Sequence, residues 1–313
     1  MLRIVSLIAS ASEILSALDL TRNQVGRSHE CDSPAEIMAL PICTSPAFPT
    51  SGSSAEIDQR VKQRVANALS VYEVSREALD ALQPTHVITQ TQCRVCAVSL
   101  EDVERALTGW VSSRPKLVAL EPNTLADIWL DIQRVAVSCG VPERGDKLVA
   151  ALQARMREIS ARACQSPRRP RVACIEWHEP LMAAGNWVPE LVEMAGAVNL
   201  FGQAGAHSPA RSAWMNWAQL MEADPDVIVS MPCGFDLART CAEMYWLTNR
   251  PEWPKLRAVQ TGQVYLADGN QYFNRPGPRI VESLRILAEI LHPEAFEPAL
   301  QGAAWRGHVE WAA

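Results

Sequence analysis

The stretch Glu143-Arg144-Gly145-Asp146-Lys147-Leu148-Val149-Ala150-Ala151-Leu152-Gln153-Ala154-Arg155-Met156-Arg157-Glu158-Ile159-Ser160-Ala161-Arg162-Ala163-Cys164, followed by Ser166-Pro167-Arg168-Arg169-Pro170, decides how this chain is built. Leu148, Leu152, Met156 and Ile159 recur at spacings of three and four, so they share one helical face. About 20 helical residues at ~1.5 Å rise span ~30 Å, the diameter of a small domain. Pro167 and Pro170 forbid its continuation. A helix this long, flanked by similar patterns on both sides, reads as a connector.

Before it, apolar runs at 4–9, 24–27, 86–89 and 116–120 predict strands. Helical patterns lie at 12–18, 54–69, 75–82, 100–110 and 125–138, the last closed by Gly140 and followed by Pro142. After Pro170, strands at 171–176, 227–231 and 264–267 alternate with helices at 188–195, 217–221 and 279–291. Alternation of this kind implies βα units and parallel sheets. The two halves also echo one another. Leu82-Gln83-Pro84-Thr85-His86-Val87-Ile88 leads to Cys93, as Ala223-Asp224-Pro225-Asp226-Val227-Ile228-Val229 leads to Cys233. The prediction is an α/β chain of two Rossmann-like lobes joined by one long backbone helix. The N-terminal lobe takes 1–141, the helix 142–166 and the C-terminal lobe 167–313.

Charge and composition narrow the function. The 313 residues are 48% hydrophobic and 20% charged, and 29 Lys+Arg against 35 Asp+Glu give a net charge of -6. No basic surplus exists to drive counterion release from nucleic acid. Apolar runs such as 4–9 fall far short of the ~20 residues a membrane span needs. The start, Met1-Leu2-Arg3-Ile4-Val5-Ser6-Leu7-Ile8-Ala9-Ser10, reads as a first strand rather than a secretion signal. This predicts a cytoplasmic protein, or a periplasmic or other extracytoplasmic one if a leader preceded it. The nine cysteines are an odd number, which argues against a disulfide framework.

Ligands of open α/β sheets bind outside the carboxyl ends of the strands. The segments there are Ser10-Ala11-Ser12-Glu13, Ser28-His29-Glu30-Cys31-Asp32 and Thr89-Gln90-Thr91-Gln92-Cys93-Arg94-Val95-Cys96 in the first half. In the second they are Trp177-His178-Glu179-Pro180, Gly185-Asn186-Trp187, Pro232-Cys233-Gly234-Phe235-Asp236 and 268–277. The composition suits a large, flat, partly aromatic ligand held between two lobes. Trp177, Trp187, Tyr272 and Phe273 are the aromatics that would cover its faces. Ser12, Glu30, Gln92, Cys93, Cys233, Phe235, Asn270 and Asn274 complete the candidate contacts, and His29 and His178 add imidazoles able to ligate a metal ion.

The chain resembles the class III, metal-receptor type of periplasmic substrate-binding protein, and within it the cobalamin-binding proteins. The resemblance rests on Arg3-Ile4-Val5-Ser6-Leu7, Ser10-Ala11-Ser12-Glu13, Val25-Gly26-Arg27-Ser28-His29-Glu30-Cys31-Asp32-Ser33-Pro34 and Asn270-Gln271-Tyr272-Phe273-Asn274-Arg275-Pro276-Gly277-Pro278-Arg279. It covers residues 3 to about 293. It implies a rigid backbone helix and cobalamin or a related corrinoid held in the interlobe cleft, for transport, storage or delivery. Relatives that dock on an ABC importer present one acidic residue per lobe. Glu56 fits that role in the first half, whereas Asn216-Trp217-Ala218-Gln219-Leu220 in the second has no acid.

Two rival chemistries stand beside this. His29, Cys31, Cys93 and Cys96 would supply one imidazole and three thiolates, the donor set of a closed zinc site, or would serve a ferric-chelate or haem binder. The same residues also read as buried or locally hydrogen-bonded side chains, or as direct ligand contacts. An enzyme would use Glu176, His178 or Glu179 with Cys93 or Cys233 as nucleophile, but no GxSxG, HExxH or Walker A motif accompanies them.

Overall fold

The computed structural model describes residues 1–66, 72–90, 113–202 and 213–307. Two compact units divide the chain. One comprises Met1–Gly52, Glu56–Pro122 and Ala126–Ala151; the other comprises Ser53–Ala55, Asn123–Leu125 and Leu152–Ala313.

In the first unit, β1 (Ile4–Ser6) leads into α1 (Ala9–Ala17) and β2 (Gln24–Arg27). Next come β3 (Thr44–Pro46), α2 (Ser54–Ala66), β4 (Tyr72–Val74), α3 (Arg76–Leu82), β5 (His86–Gln90), β6 (Lys116–Leu120) and α4 (Leu125–Ser138). Strands β2-β1-β5-β6 form a sheet in that order, every pairing parallel. Val5, Leu7, Cys43, Leu79 and Val87 make one core cluster. Gly26 permits the close packing there, because a Cβ would stand 2.7 Å from Leu82 Cδ1 and 2.8 Å from Cys43 Sγ. Off this sheet, β3 and β4 pair antiparallel.

The first strand is shorter than expected. It ends at Ser6, and α1 begins at Ala9 with Ile8 as an N-cap that makes no side-chain bond. Ser10, Ser12 and Glu13 therefore sit buried inside the helix rather than capping it. At the other end of the unit, Gly140 (φ 77°) closes α4 in the left-handed conformation. The long helix α5 (Pro142–Ala163) follows, with proline at its favoured first position. Its buried positions Gly145, Val149, Leu152, Met156 and Ala163 follow helical spacing. The division between units falls within this helix, after Ala151.

The second unit contains β7 (Arg171–Trp177), β8 (Met182–Ala183), α6 (Val188–Met194), β9 (Val198–Asn199), β10 (Ala213–Trp214), α7 (Trp217–Ala223) and β11 (Val227–Ser230). It continues with α8 (Leu237–Glu243), α9 (Tyr245–Thr248), α10 (Arg257–Gln260), β12 (Val264–Ala267), α11 (Ile280–Leu291) and β13 (Trp305–Gly307). The sheet order is β10-β8-β7-β11-β12-β13, with β9 paired to β7. Its centre, β7-β11-β12, is parallel, while β8, β10 and β13 pair antiparallel. The sheet is thus mixed at its margins, where the sequence predicted parallel strands alone. Ala173, Ile175, Ile228, Leu247, Leu256 and Leu266, all fully buried, belong to one core cluster.

Candidate functional site

In the first unit the carboxyl end of β2 runs into Ser28-His29-Glu30-Cys31, and the β3–β4 pair supplies Thr44 and Tyr72 beside it. The His29 backbone N–H donates to Thr44 Oγ1 at 3.1 Å, and its Nδ1 lies 2.8 Å from the same oxygen. Thr44 Oγ1 has one proton, and it donates to Ser28 Oγ at 3.0 Å. Thr44 therefore accepts from His29, which places the ring proton on Nδ1 and the lone pair on Nε2. Burial holds the His29 pKa below its usual value; Arg27 adds to the fall and the bond to Thr44 opposes it. A neutral imidazole with a free Nε2 is the form that ligates metals. Nε2 faces Glu30 Oε1 at 3.9 Å, and the His29 side chain is 22% exposed. Tyr72 donates its hydroxyl to Glu30 Oε1 at 3.0 Å and sets its ring 5.5 Å from the imidazole.

The other first-unit candidates lie deeper or elsewhere. Ser12 is fully buried, and its Oγ accepts from Gln24 Nε2 at 3.0 Å, so it serves the packing of α1 on β2. Cys31 is also fully buried, 4.0 Å from Ser6 Oγ, and burial pushes its thiol above the usual range. Gln92, Cys93 and Cys96 lie outside the described residues, so the four-residue metal set cannot be assembled from the rest. Among the described residues no group of three or more His, Cys, Asp or Glu is placed to hold a metal ion.

In the second unit the carboxyl ends of β7, β11 and β12 gather the remaining candidates. His178 is 1% exposed, with Nδ1 3.1 Å from the Glu243 carbonyl oxygen and Nε2 2.7 Å from Ser230 Oγ. Both nitrogens thus have protein partners, and burial drops the pKa to about 4. This histidine is a core residue, not one presented to a metal or poised for acid/base chemistry. Trp187 is buried and donates its indole N–H to the Phe273 carbonyl at 3.0 Å. Trp177 packs 5.2 Å from Phe235, whose ring centre lies 3.9 Å from the Arg239 guanidinium.

Residues 269–273 wind into a single π-helical turn, a form frequent at functional sites. Asp268 caps it, its Oδ1 accepting from the Gln271 N–H at 2.7 Å. Gly269 is obligatory, since a Cβ would stand 2.1 Å from the Pro232 carbonyl oxygen. Asn270 donates its N–H to the Phe235 carbonyl at 3.1 Å and accepts Arg275 Nε on its own carbonyl at 2.8 Å. Cys233 donates its N–H to the Glu176 carbonyl at 3.1 Å. Tyr272 is half-buried beneath the Arg279 guanidinium, 5.6 Å from its ring centre. Phe273 is 2% exposed, so its side chain packs inward rather than lining an open face. Asn274 Nδ2 donates to the Gly269 carbonyl at 2.9 Å.

Sequence reasoning overlooked Thr44 and Tyr72, which fix His29 and Glu30. No local signal marks them, because each contact spans 15 or 42 residues of chain.

The sequence profile of the periplasmic binding protein family matches residues 4–270. No curated protein matches the chain. Among solved structures, the periplasmic haem-binding protein RhuT from Roseiflexus sp. RS-1 is 22% identical, with a TM-score of 0.69 over 95% of this chain and 100% of its own. The periplasmic vitamin B12 binding protein BtuF of Vibrio cholerae is 19% identical, with a TM-score of 0.63 over 93% and 96%. Staphylococcus aureus IsdE, solved with haem, is 16% identical, with a TM-score of 0.67 over 93% and 99%. At these identities the structures share a fold. The chain belongs to the periplasmic binding protein family and has the class III substrate-binding fold.

Proposed function

We propose that this protein binds cobalamin or a related corrinoid and presents His29 Nε2 to the metal. The observation that carries the reading is the hydrogen-bonded His29, whose Nδ1–H is held by Thr44 and whose Nε2 keeps its lone pair. Metal-ligating histidines characteristically donate their other ring N–H in this way. Haem is the second reading, favoured by the haem named for RhuT and IsdE and by the ease with which imidazole ligates iron. The family consists of binding and transport proteins, and its members usually work in the periplasm or elsewhere outside the cytoplasm. The cytoplasmic placement expected from the N-terminus finds no support there. Among the described residues no helix is long and apolar enough to cross a membrane. Delivery to an ABC importer would use exposed Glu56 in α2. In the second unit the helix start Asn216-Trp217-Ala218-Gln219-Leu220 offers no acid, and Gln219 is engaged with Asn216 in a reciprocal cap.

Visible-absorption titrations with aquocobalamin and with haemin test this on wild type, His29→Ala and Thr44→Val. The expected result is saturable aquocobalamin binding with a shifted cobalt band, lost in His29→Ala. Thr44→Val should weaken binding about 10- to 100-fold, the cost typical of losing a ligand's supporting bond. Saturation by haemin alone would move the assignment to haem. An unshifted spectrum on saturation would remove His29 from the metal.

A further inference from the structure

His29 is held by two bonds to a single oxygen. Its backbone N–H donates to Thr44 Oγ1 at 3.1 Å, and its ring Nδ1–H donates to the same atom across 2.8 Å. Thr44 is buried on β3, whose antiparallel pairing with β4 brings the Tyr72 ring 5.5 Å from the imidazole. Main chain and side chain are thus fixed together, and the ring cannot turn without giving up its bond to Thr44. Among the described residues Nε2 has no hydrogen-bond partner; Glu30 Oε1 stands 3.9 Å from it, beyond hydrogen-bonding distance.

A lone pair fixed in this way fills an axial position on a metal only where that position is open or its occupant leaves readily. The ring is already in place, so ligation costs it little freedom. The Nδ1–H bond to Thr44 also raises the basicity of Nε2. Equally, a fixed ring cannot swing aside for an axial group that stays on the metal, and such an obstacle contributes to specificity as much as an attraction does.

We propose, resting on the corrinoid reading above, that His29 makes this protein selective for corrinoids with an exchangeable axial ligand, and that it discriminates against cobalt(III) forms capped by cyanide or an alkyl group. In the exchange the cobalt–oxygen bond to water breaks and a cobalt–Nε2 bond forms. The imidazole supplies both electrons of the new bond, and water leaves with its own pair. Cobalt stays trivalent and no proton moves. Cyanide and alkyl groups are held far more strongly by cobalt, so they offer the same exchange no ready leaving group.

The test compares aquocobalamin, cyanocobalamin and methylcobalamin, which differ only in the upper axial group. Each is titrated calorimetrically into the full chain and into His29→Ala, with visible spectra recorded at saturation. Wild type should prefer aquocobalamin by at least about tenfold, the lower bound for losing even a supporting partner of a metal ligand. In His29→Ala the three affinities should converge, whereas a preference owed only to the positive charge of aquocobalamin would survive. Excess free imidazole, which fills the axial position beforehand, should weaken aquocobalamin binding to wild type and leave cyanocobalamin unaffected; this arm needs no variant. If aquocobalamin binds with a shifted band but the preference is smaller than that, or persists in His29→Ala, axial selection is overturned and the corrinoid assignment stands. If saturation leaves the band unshifted, His29 is not the ligand and the selection falls with it. If no cobalamin binds wild type, the corrinoid reading itself fails.

Discussion

His178 shows how a residue that looks functional in sequence becomes structural once its neighbours are known. Its imidazole is buried between the Glu243 carbonyl and Ser230 Oγ, and its pKa is lowered to about 4 by burial, the bond to Glu243 opposing the fall. The unfolded chain would titrate it near 6.5, so between those values the unfolded state binds more protons. Stability from this site is therefore complete above about pH 6.5 and declines as the pH falls towards 4. The full span corresponds to roughly 3 kcal/mol. Urea unfolding at pH 7.5 and pH 4.5 should show a loss in wild type that is much smaller in His178→Gln; an equal loss in both would place the acid sensitivity elsewhere. Arg27 makes the opposite point, because its importance was hidden in a quoted motif. It is 6% exposed, and its Nη atoms donate to the carbonyl oxygens of Ser28, Cys31 and Met38. A four-residue strand has too little pattern to reveal that its terminal arginine turns inward. The guanidinium's role in gathering the loop that carries His29 is visible only in three dimensions.

At the scale of elements, legibility followed length and punctuation. The helix α5 was readable because 22 residues carry several turns of apolar spacing between Pro142 and the Pro167–Pro170 stop. The central strands β7, β11 and β12 were readable as buried apolar runs. Strands β8, β9 and β10 have two residues each, too few for any period, and β9 and β10 find their partners about 30 residues away in the chain. The candidate site was legible in its loops but not in its contacts. The strand ends point to His29 and to residues 268–276, but Phe273 and Trp187, which read in sequence as ligand-facing aromatics, pack inward. The π-helical turn explains why: winding 269–273 compactly turns Phe273 into the core while its carbonyl receives the Trp187 indole. Gly269→Ala tests how tightly that turn is seated. Its Cβ would meet the carbonyl oxygens of Pro232 at 2.1 Å and Met231 at 2.6 Å, backbone atoms that cannot rotate aside. The substitution should cost about 1–3 kcal/mol by overpacking, measured by denaturant unfolding. A loss under about 0.5 kcal/mol, the range of surface changes, would mean that the turn relaxes freely.

At the scale of the whole molecule, charge bears on the proposed choice between a corrinoid and haem. The chain carries a formal net charge of -6, and a net field of one sign accelerates the approach of oppositely charged ligands. Aquocobalamin is a cation, whereas haemin bears two propionates and is a net anion at neutral pH. The same field should therefore draw the first and resist the second. Salt separates the cases, because the screening length falls from about 30 Å at 0.01 M to about 8 Å at 0.15 M. Stopped-flow association of aquocobalamin should slow a few-fold over that interval, and any association of haemin should quicken, as expected for steering by net charge. Dissociation rates should move less, since contacts inside a binding site are screened less than approach through solvent. A rate for aquocobalamin that rises with salt would show that the local field at the site is positive. Such a field would favour the propionates of haem over the amides of a corrinoid, so one kinetic sign bears on both ligand assignments.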